Sequence, residues 1–373
     1  MFKKKKKQQL AGEDAMYMEG QGKLIWRKFK KHKLAMVGFV ILVILYTLGI
    51  FSEFFATQDT AKRSTTAISM APTKIHFVDE EGNFSLRPFV YGKKMEEDPV
   101  TWRKYYVEDT SQKHYLQFFY HGDPYKLLGF IPGDIHFFGT PEEDVFFPFG
   151  TDASGRCLYS RVMSALRISL STGLVGVFFT FILGCLFGGI SGYYGGVADT
   201  VIQRIIEFLM SMPSIPLWMS LAAALPSTWS SLQTYFAITI ILSLIGWTSL
   251  ARVVRGKLLE LRNEDFVTAA RVSGATDGYI ISRHLLPSFT SYLIVNVTLA
   301  IPNMILSETS LSFLGIGLSA PIVSLGVLLQ DAQSISTISM YPWMMIPGLF
   351  VVIAVLAFNF VGDGLRDAAD PYK

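Results

Sequence analysis

The side chains that ordinarily carry covalent or metal chemistry are few in this sequence and poorly spaced for it. His76, His114, His121 and His136 show no ligand spacing, so surface or packing roles suit them better. Cys157 and Cys185 give neither a disulfide framework nor a metal site, and Cys185 lies in an apolar run where it packs as a small hydrophobe. The glycines between 173 and 192 follow no strand and lead into no phosphate loop. The pattern G-x-x-x-x-G-K-S/T is absent from the sequence, so the chain cannot cradle ATP phosphates by that route. What remains is mechanical: the charged, helix-prone stretch Glu264 to Pro287, held between two long apolar segments.

Its residue order predicts helix, tight turn, helix. Asn263 can cap a helix whose first turn holds Glu264 and Asp265, favourable against the helix dipole. Ala269 and Ala270 are strong helix formers with small side chains, suited to docking in a groove. Gly274 sits where a left-handed C-cap residue belongs. Asp277 can cap the second helix, and Pro287 lets the chain enter the next span. A rigid knob is expected, rather than a tether.

The elements that must position it are membrane spans. Half of the 373 residues are hydrophobic and 17% are charged, with the charges gathered into blocks between apolar runs, the pattern of a polytopic membrane protein. Residues 1–33 carry eleven Lys/Arg against three acids and lead into the uncharged run 34–51, read as a retained anchor with its N-terminus in the cytoplasm. The Lys3 to Lys7 run reads as a solvated tail at the lipid surface. Residues 52–149, with ten Lys/Arg and fifteen Asp/Glu, form an extracytoplasmic insert with brief strands near 74–78, 105–107 and 115–120.

Next come an outer-surface amphipathic segment at 150–167 bearing Arg156, Arg161 and Arg167, and a five-helix region at 168–362. Small residues from Gly173 to Gly192 would admit a close helix neighbour. The uncharged stretch 208–250 suits two spans, the first distorted by Pro213 and Pro216. The polar block 251–287, with six Lys/Arg and four acids, falls in the cytoplasm by the parity of spans. A fifth span over 285–307 closes at Glu308, placed at the outer boundary or facing the bundle. Residues 309–330 read as a re-entrant or surface segment rather than a seventh span. A last span covers about 343–360, and 363–373 is a tail.

The pattern Ala269–Ala270, three residues, Gly274, then Leu286–Pro287 resembles the EAA loop of bacterial ABC importer permeases. ThrAlaAla at 268–270 and HisLeuLeuPro at 284–287 are most similar to the dipeptide/oligopeptide group. So are GTDASGR at 150–156, SETSLSFLGIG at 307–317 and FNFVGDGLRDAADP at 358–371. The likeness covers the first span and nearly everything from 149 onward. It implies an all-α polytopic membrane protein with six transmembrane helices of the type I ABC importer permease fold and a small extracytoplasmic mixed α/β insert.

By the same resemblance the loop docks as a coupling helix on a cytoplasmic ATPase through Asp265, Thr268, Ala269, Ala270, Gly274, Asp277, His284 and Pro287. The broader family has Glu where Thr268 stands and Ile where His284 stands, so docking here should rest on small-residue fit. The implied partners are a second homologous permease, one or two ABC ATPase subunits that bind the ATP, an extracytoplasmic solute-binding protein and membrane lipids; nucleic acid is not among them. The chain itself would hold no cofactor and catalyse nothing, and would sit in the bacterial inner membrane with both termini cytoplasmic. The expected cargo is peptides, with oligosaccharides or nickel chelates as alternatives. An ion-coupled secondary transporter or a membrane-anchored receptor are readings from other classes.

Overall fold

The computed structural model describes residues 21–97, 99–100, 102, 104–142, 144–226 and 228–369. The Lys3 to Lys7 tail lies outside the described residues. Helix α1 (Gln21–Lys31) is amphipathic and buries Phe29, and α2 (Lys33–Ile50) is the first apolar helix. A short turn of helix, α3 (Ser52–Phe55), leads into the insert. There β1 (His76–Val78), β2 (Phe84–Glu97) and β3 (Lys104–Tyr115) form one antiparallel sheet, and β4 (Gln117–Leu127) with β5 (Ile131–Gly139) a separate hairpin.

Helix α4 (Leu158–Tyr194) is 37 residues long, about 55 Å by the helical rise, and is the axis of the bundle. On one face Gly184, Gly188 and Gly192 abut α7 (Ser231–Leu261); a Cβ on Gly188 would stand 2.6 Å from the Ala251 carbonyl oxygen. On another, Gly173 and Gly176 abut Ile305 and Met304 of α11 (Thr290–Phe313). The close approach expected of these small residues is thus made on two sides at once, against backbone of α7 at Gly188 and Gly192 and against side chains of α11 at Gly173 and Gly176.

Between α4 and α7 the chain forms α5 (Gly196–Ser211) and α6 (Ser214–Ala223), bent by 90° at the break. Pro213 lacks an amide proton and holds Met212 extended, which stops α5 there. Among the described residues five helices are long and apolar enough to cross a membrane, and six if the bent pair is one span.

Two expectations are corrected. Arg161 and Arg167 do not lie on a half-exposed surface helix; they occupy the first turns of α4, and Arg161 is 3% exposed. Asp152, itself buried, accepts hydrogen bonds from both Arg156 and Arg161, and Asp331 lies 3.8 Å from Arg161. Arg167 pairs with Glu53 and donates to the Gly49 and Ile50 carbonyl oxygens at 2.9 and 2.8 Å, capping the C-terminus of α2. These arginines are internal counter-charges, which is why their number on one side misleads a count of loop charge.

Glu308 faces the bundle, one of its two expected placements, but it does not close the fifth helix: it lies inside α11 and is fully buried. Ser312 and Ser169 donate to its carboxylate at 2.8 and 3.2 Å, while the Ser169 hydroxyl accepts from the Leu325 amide. This polar knot fixes α12 (Leu325–Gln330) against α4 and α11. Residues 309–313 still belong to α11, and with six residues α12 is far too short to span, so 314–330 folds back into the bundle. The chain continues through α13 (Ile335–Met340) to α14 (Ile346–Ala369), whose far end meets α1: Gly364 lies over Phe29, and His32 is 3.7 Å from Asp367.

Candidate functional site: a helical knob joined to three spans

Two short helices form the knob. Helix α8 (Asp265–Val272) starts after Glu264, not Asn263, at the extended cap position, and makes no side-chain cap bond. It ends in a paired C-terminal motif: the Gly274 amide donates to the Arg271 carbonyl at 3.0 Å and the Ala275 amide to that of Ala270 at 3.1 Å. Gly274 is in the left-handed region at φ +83°, as the sequence required. Helix α9 (Asp277–Tyr279) begins after Thr276, so Asp277 is its first residue and not its cap. It runs on through a wide turn at Ile280–Leu285 into α10 (Leu286–Ser288), which contains Pro287.

The inner side of the knob is welded to the bundle. Val267, Ile280, Leu285 and Phe289 are buried with Tyr193 of α4, Val254 and Leu258 of α7, and Leu293 of α11 in one apolar cluster. Each buried aliphatic side chain contributes about 1.5–3 kcal/mol, so the knob moves with three spans or not at all. The alanine pair divides: Ala270 packs against this cluster, and Ala269 faces outward. Asp265, Phe266, Thr268, Val272, Gly274, Asp277, Tyr279 and Pro287 are exposed, and the half-buried His284 ring rests edge-on to Tyr279.

One functional side chain was not foreseen. The Tyr193 hydroxyl, at the end of α4, donates to Asp277 at 2.7 Å and accepts from Arg271 at 3.3 Å, tying both knob helices to the central span. The Tyr193 bond also raises the Arg271 guanidinium above its ordinary range. Just beyond, Asp199 takes two hydrogen bonds from Arg255, each 2.6 Å, which lock the α4–α5 corner to α7. The only sequence signal for Tyr193 was its place at the end of a glycine-rich helix, which pointed to no partner.

At membrane depth a cavity of about 410 Å³ opens between α4, α6, α7 and α11, lined among others by Thr180, Trp218, Gly246, Ser249, Asn303 and Ser307. The Thr180 hydroxyl and Trp218 indole nitrogen are buried there with no hydrogen-bond partner among the described residues.

An apolar multi-helix bundle with a rigid polar knob welded to three of its helices defines the class: a multi-pass membrane protein. A model of the binding-protein-dependent transport system inner membrane component family matches residues 184–372. The chain belongs to that family, and its fold is the type I ABC importer permease fold. A model of the N-terminal TM domain of oligopeptide transport permease C matches residues 20–72.

The chain is 41% identical over 233 residues to the oligopeptide transport system permease protein OppC of Haemophilus influenzae, covering 62% of this chain and 72% of that protein. It is 33% identical over 350 residues to the dipeptide transport system permease protein DppC of Lactococcus lactis subsp. cremoris, covering 93% and 89%. With OppC of Bacillus subtilis it shares 27% over 363 residues, covering 96% and 93%.

Proposed function

We propose that this chain is one half of the translocation pathway of an ATP-driven peptide importer, and that its knob receives a cytoplasmic ATPase subunit. The observation that carries this reading is the division of the knob into a welded inner side and an outer side bearing Phe266, Ala269, Val272 and Tyr279. A hairpin without a partner would bury those side chains or replace them with polar ones. The contact set is Asp265, Thr268, Ala269, Gly274, Asp277, His284 and Pro287, with Ala270 seating the helix from beneath. Closure of the ATPase would tilt α4, α7 and α11 as a rigid body between inward and outward openings. ATP is bound by the partner and not by this chain.

A second homologous permease faces the cavity around Thr180 and Asn303, and a solute-binding protein delivers cargo from the side of the insert. The insert, 52–149, is extracytoplasmic; both termini and the coupling loop 251–287 are cytoplasmic. The adjacency of α1 and the end of α14 supports termini on one side. Peptides are favoured as cargo by the names of the relatives. Purification with its neighbours tests the reading: the ATPase and a second permease should come down with this chain, and peptide uptake into vesicles should stop with an ATPase-dead partner. Uptake that persists under an ion gradient alone would sink it.

A further inference from the structure

The β4–β5 hairpin ends in an apolar tip that the bundle does not cover. Leu128, Phe130 and Ile131 are exposed, Phe130 to 70%, and the hairpin base exposes Phe118 and Phe119. The turn places Leu128 at φ +53° beside Gly129 at φ +87°. Asn or Asp, whose short polar side chains tolerate that backbone, are the usual residues at such a position in a turn facing water, and a leucine there is uncommon.

The hairpin's seat indicates what meets this tip. Tyr120 donates to the Thr57 carbonyl, and the two ring nitrogens of His136 lie 2.7 and 2.9 Å from the Ala56 and Asp123 carbonyl oxygens, so the hairpin is pinned to the chain just after α3. Phe54 of α3 meets the Phe119 and Phe137 rings at 6.2 and 5.9 Å. Tyr125 and Lys126, one step from the tip, border the same pocket as Ser52, Glu53 and Ser164. The aromatic cluster is therefore continuous with the exit of α2, an apolar helix of spanning length whose last residue Ile50 and the adjoining Phe51 are exposed. Exposed Leu86 and Trp102 belong to the other sheet and its loop, and share none of this continuity.

We propose that the β4–β5 hairpin is a membrane-interface anchor: Leu128, Phe130 and Ile131 enter the lipid interface beside α2, on whichever face of the bilayer the insert lies. Rings at a membrane exit favour the headgroup level, and Lys126 can keep its ammonium among the headgroups while its stem lies on the apolar tip. The anchor holds the insert against the bilayer while the bundle moves.

Depth quenching tests this. The full chain, assembled with its partner subunits in phosphatidylcholine/phosphatidylglycerol vesicles, carries Phe130→Cys labelled with a small fluorophore; Cys157 and Cys185 are buried. A second variant, Leu128→Cys, guards against a local defect, and Glu81→Cys in the β1–β2 turn is the aqueous reference. Lipid carrying a nitroxide high on its acyl chain should quench the labels at 128 and 130 at least about twofold more than the label at 81, with iodide showing the reverse order. Iodide quenching equal at all three positions would overturn the proposal. So would labels at 128 and 130 shielded from both quenchers, because a protein would then cover the tip.

Discussion

The knob between α7 and α11 and the β4–β5 hairpin of the insert between α3 and α4 are both excursions from an apolar bundle, yet they are seated by different means. The knob shares a core with three spans: Val267, Ile280 and Leu285 are buried among side chains of α4, α7 and α11. The insert has a thin core of its own around Val90, Leu116 and Phe146, and its loop residues Ala67, Met70 and Phe147 join the bundle core, but its β4–β5 hairpin is tied to the chain just after α3 by directed polar contacts, Tyr120 to Thr57 and His136 to Ala56. Apolar burial is non-directional and resists every displacement, whereas a few hydrogen bonds fix position at a net of about 1 kcal/mol each. A part that transmits force needs the first kind of joint; a part that only stays in place can use the second.

Four substitutions would break or sharpen that contrast. Gly274→Val should have the largest effect. No atom lies within 4 Å of a Cβ there, so the whole cost, about 1–2 kcal/mol, is backbone strain in the turn that aligns α8 with α9. The variant should insert and hydrolyse ATP with its partners while peptide uptake falls at least tenfold; uptake near the parent rate would count against a rigid knob.

Ala269→Trp comes next, because it obstructs the outward face without touching the weld. Recovery of the ATPase on purification should fall several-fold, and unchanged recovery would move the contact elsewhere.

Tyr193→Phe removes only a hydroxyl, at about 1 kcal/mol, but it unties both knob helices from α4. ATPase recovery should be intact and uptake per ATP reduced a few-fold; equal loss of both would mean that Tyr193 serves folding alone.

The smallest transport effect is expected in the insert. His136→Ala should loosen the hairpin by about 1–3 kcal/mol, read as faster proteolysis at the β4–β5 turn, with uptake changed less than about twofold. Severe loss of uptake would show the insert to be mechanically coupled after all.

What could be read from the residues in order was whatever depends on local chemistry. Apolar runs of spanning length fixed the membrane class, Gly274 fixed the left-handed turn, and Pro213 marked a distortion that the structure shows as the break between α5 and α6, because each acts through its own backbone or its immediate neighbours. The alanine pair, Gly274 and the 284–287 segment likewise marked the candidate site. Charge was less legible. Glu53 and Arg167 neutralise one another across 114 residues, a separation that no window along the chain contains, and the Asp152–Arg161 pair, though only nine residues apart, forms because the loop before α4 folds back on it, so the arginines of α4 looked like a surface feature.

The same limit hid the role of Tyr193, 84 residues from Asp277, and the fact that Ala269 and Ala270 face opposite ways at the weld. Glu308 was visible as a lone acid in an apolar run, but Ser169, 139 residues away, decides that it is a buried knot and not a boundary. The sequence by itself determined that a rigid polar knob sits between spans, since helix formers, a stop and an exit are local properties. Only the tertiary structure decided which of its faces is joined to the bundle and which is left free, because that follows from burial against helices distant in the chain.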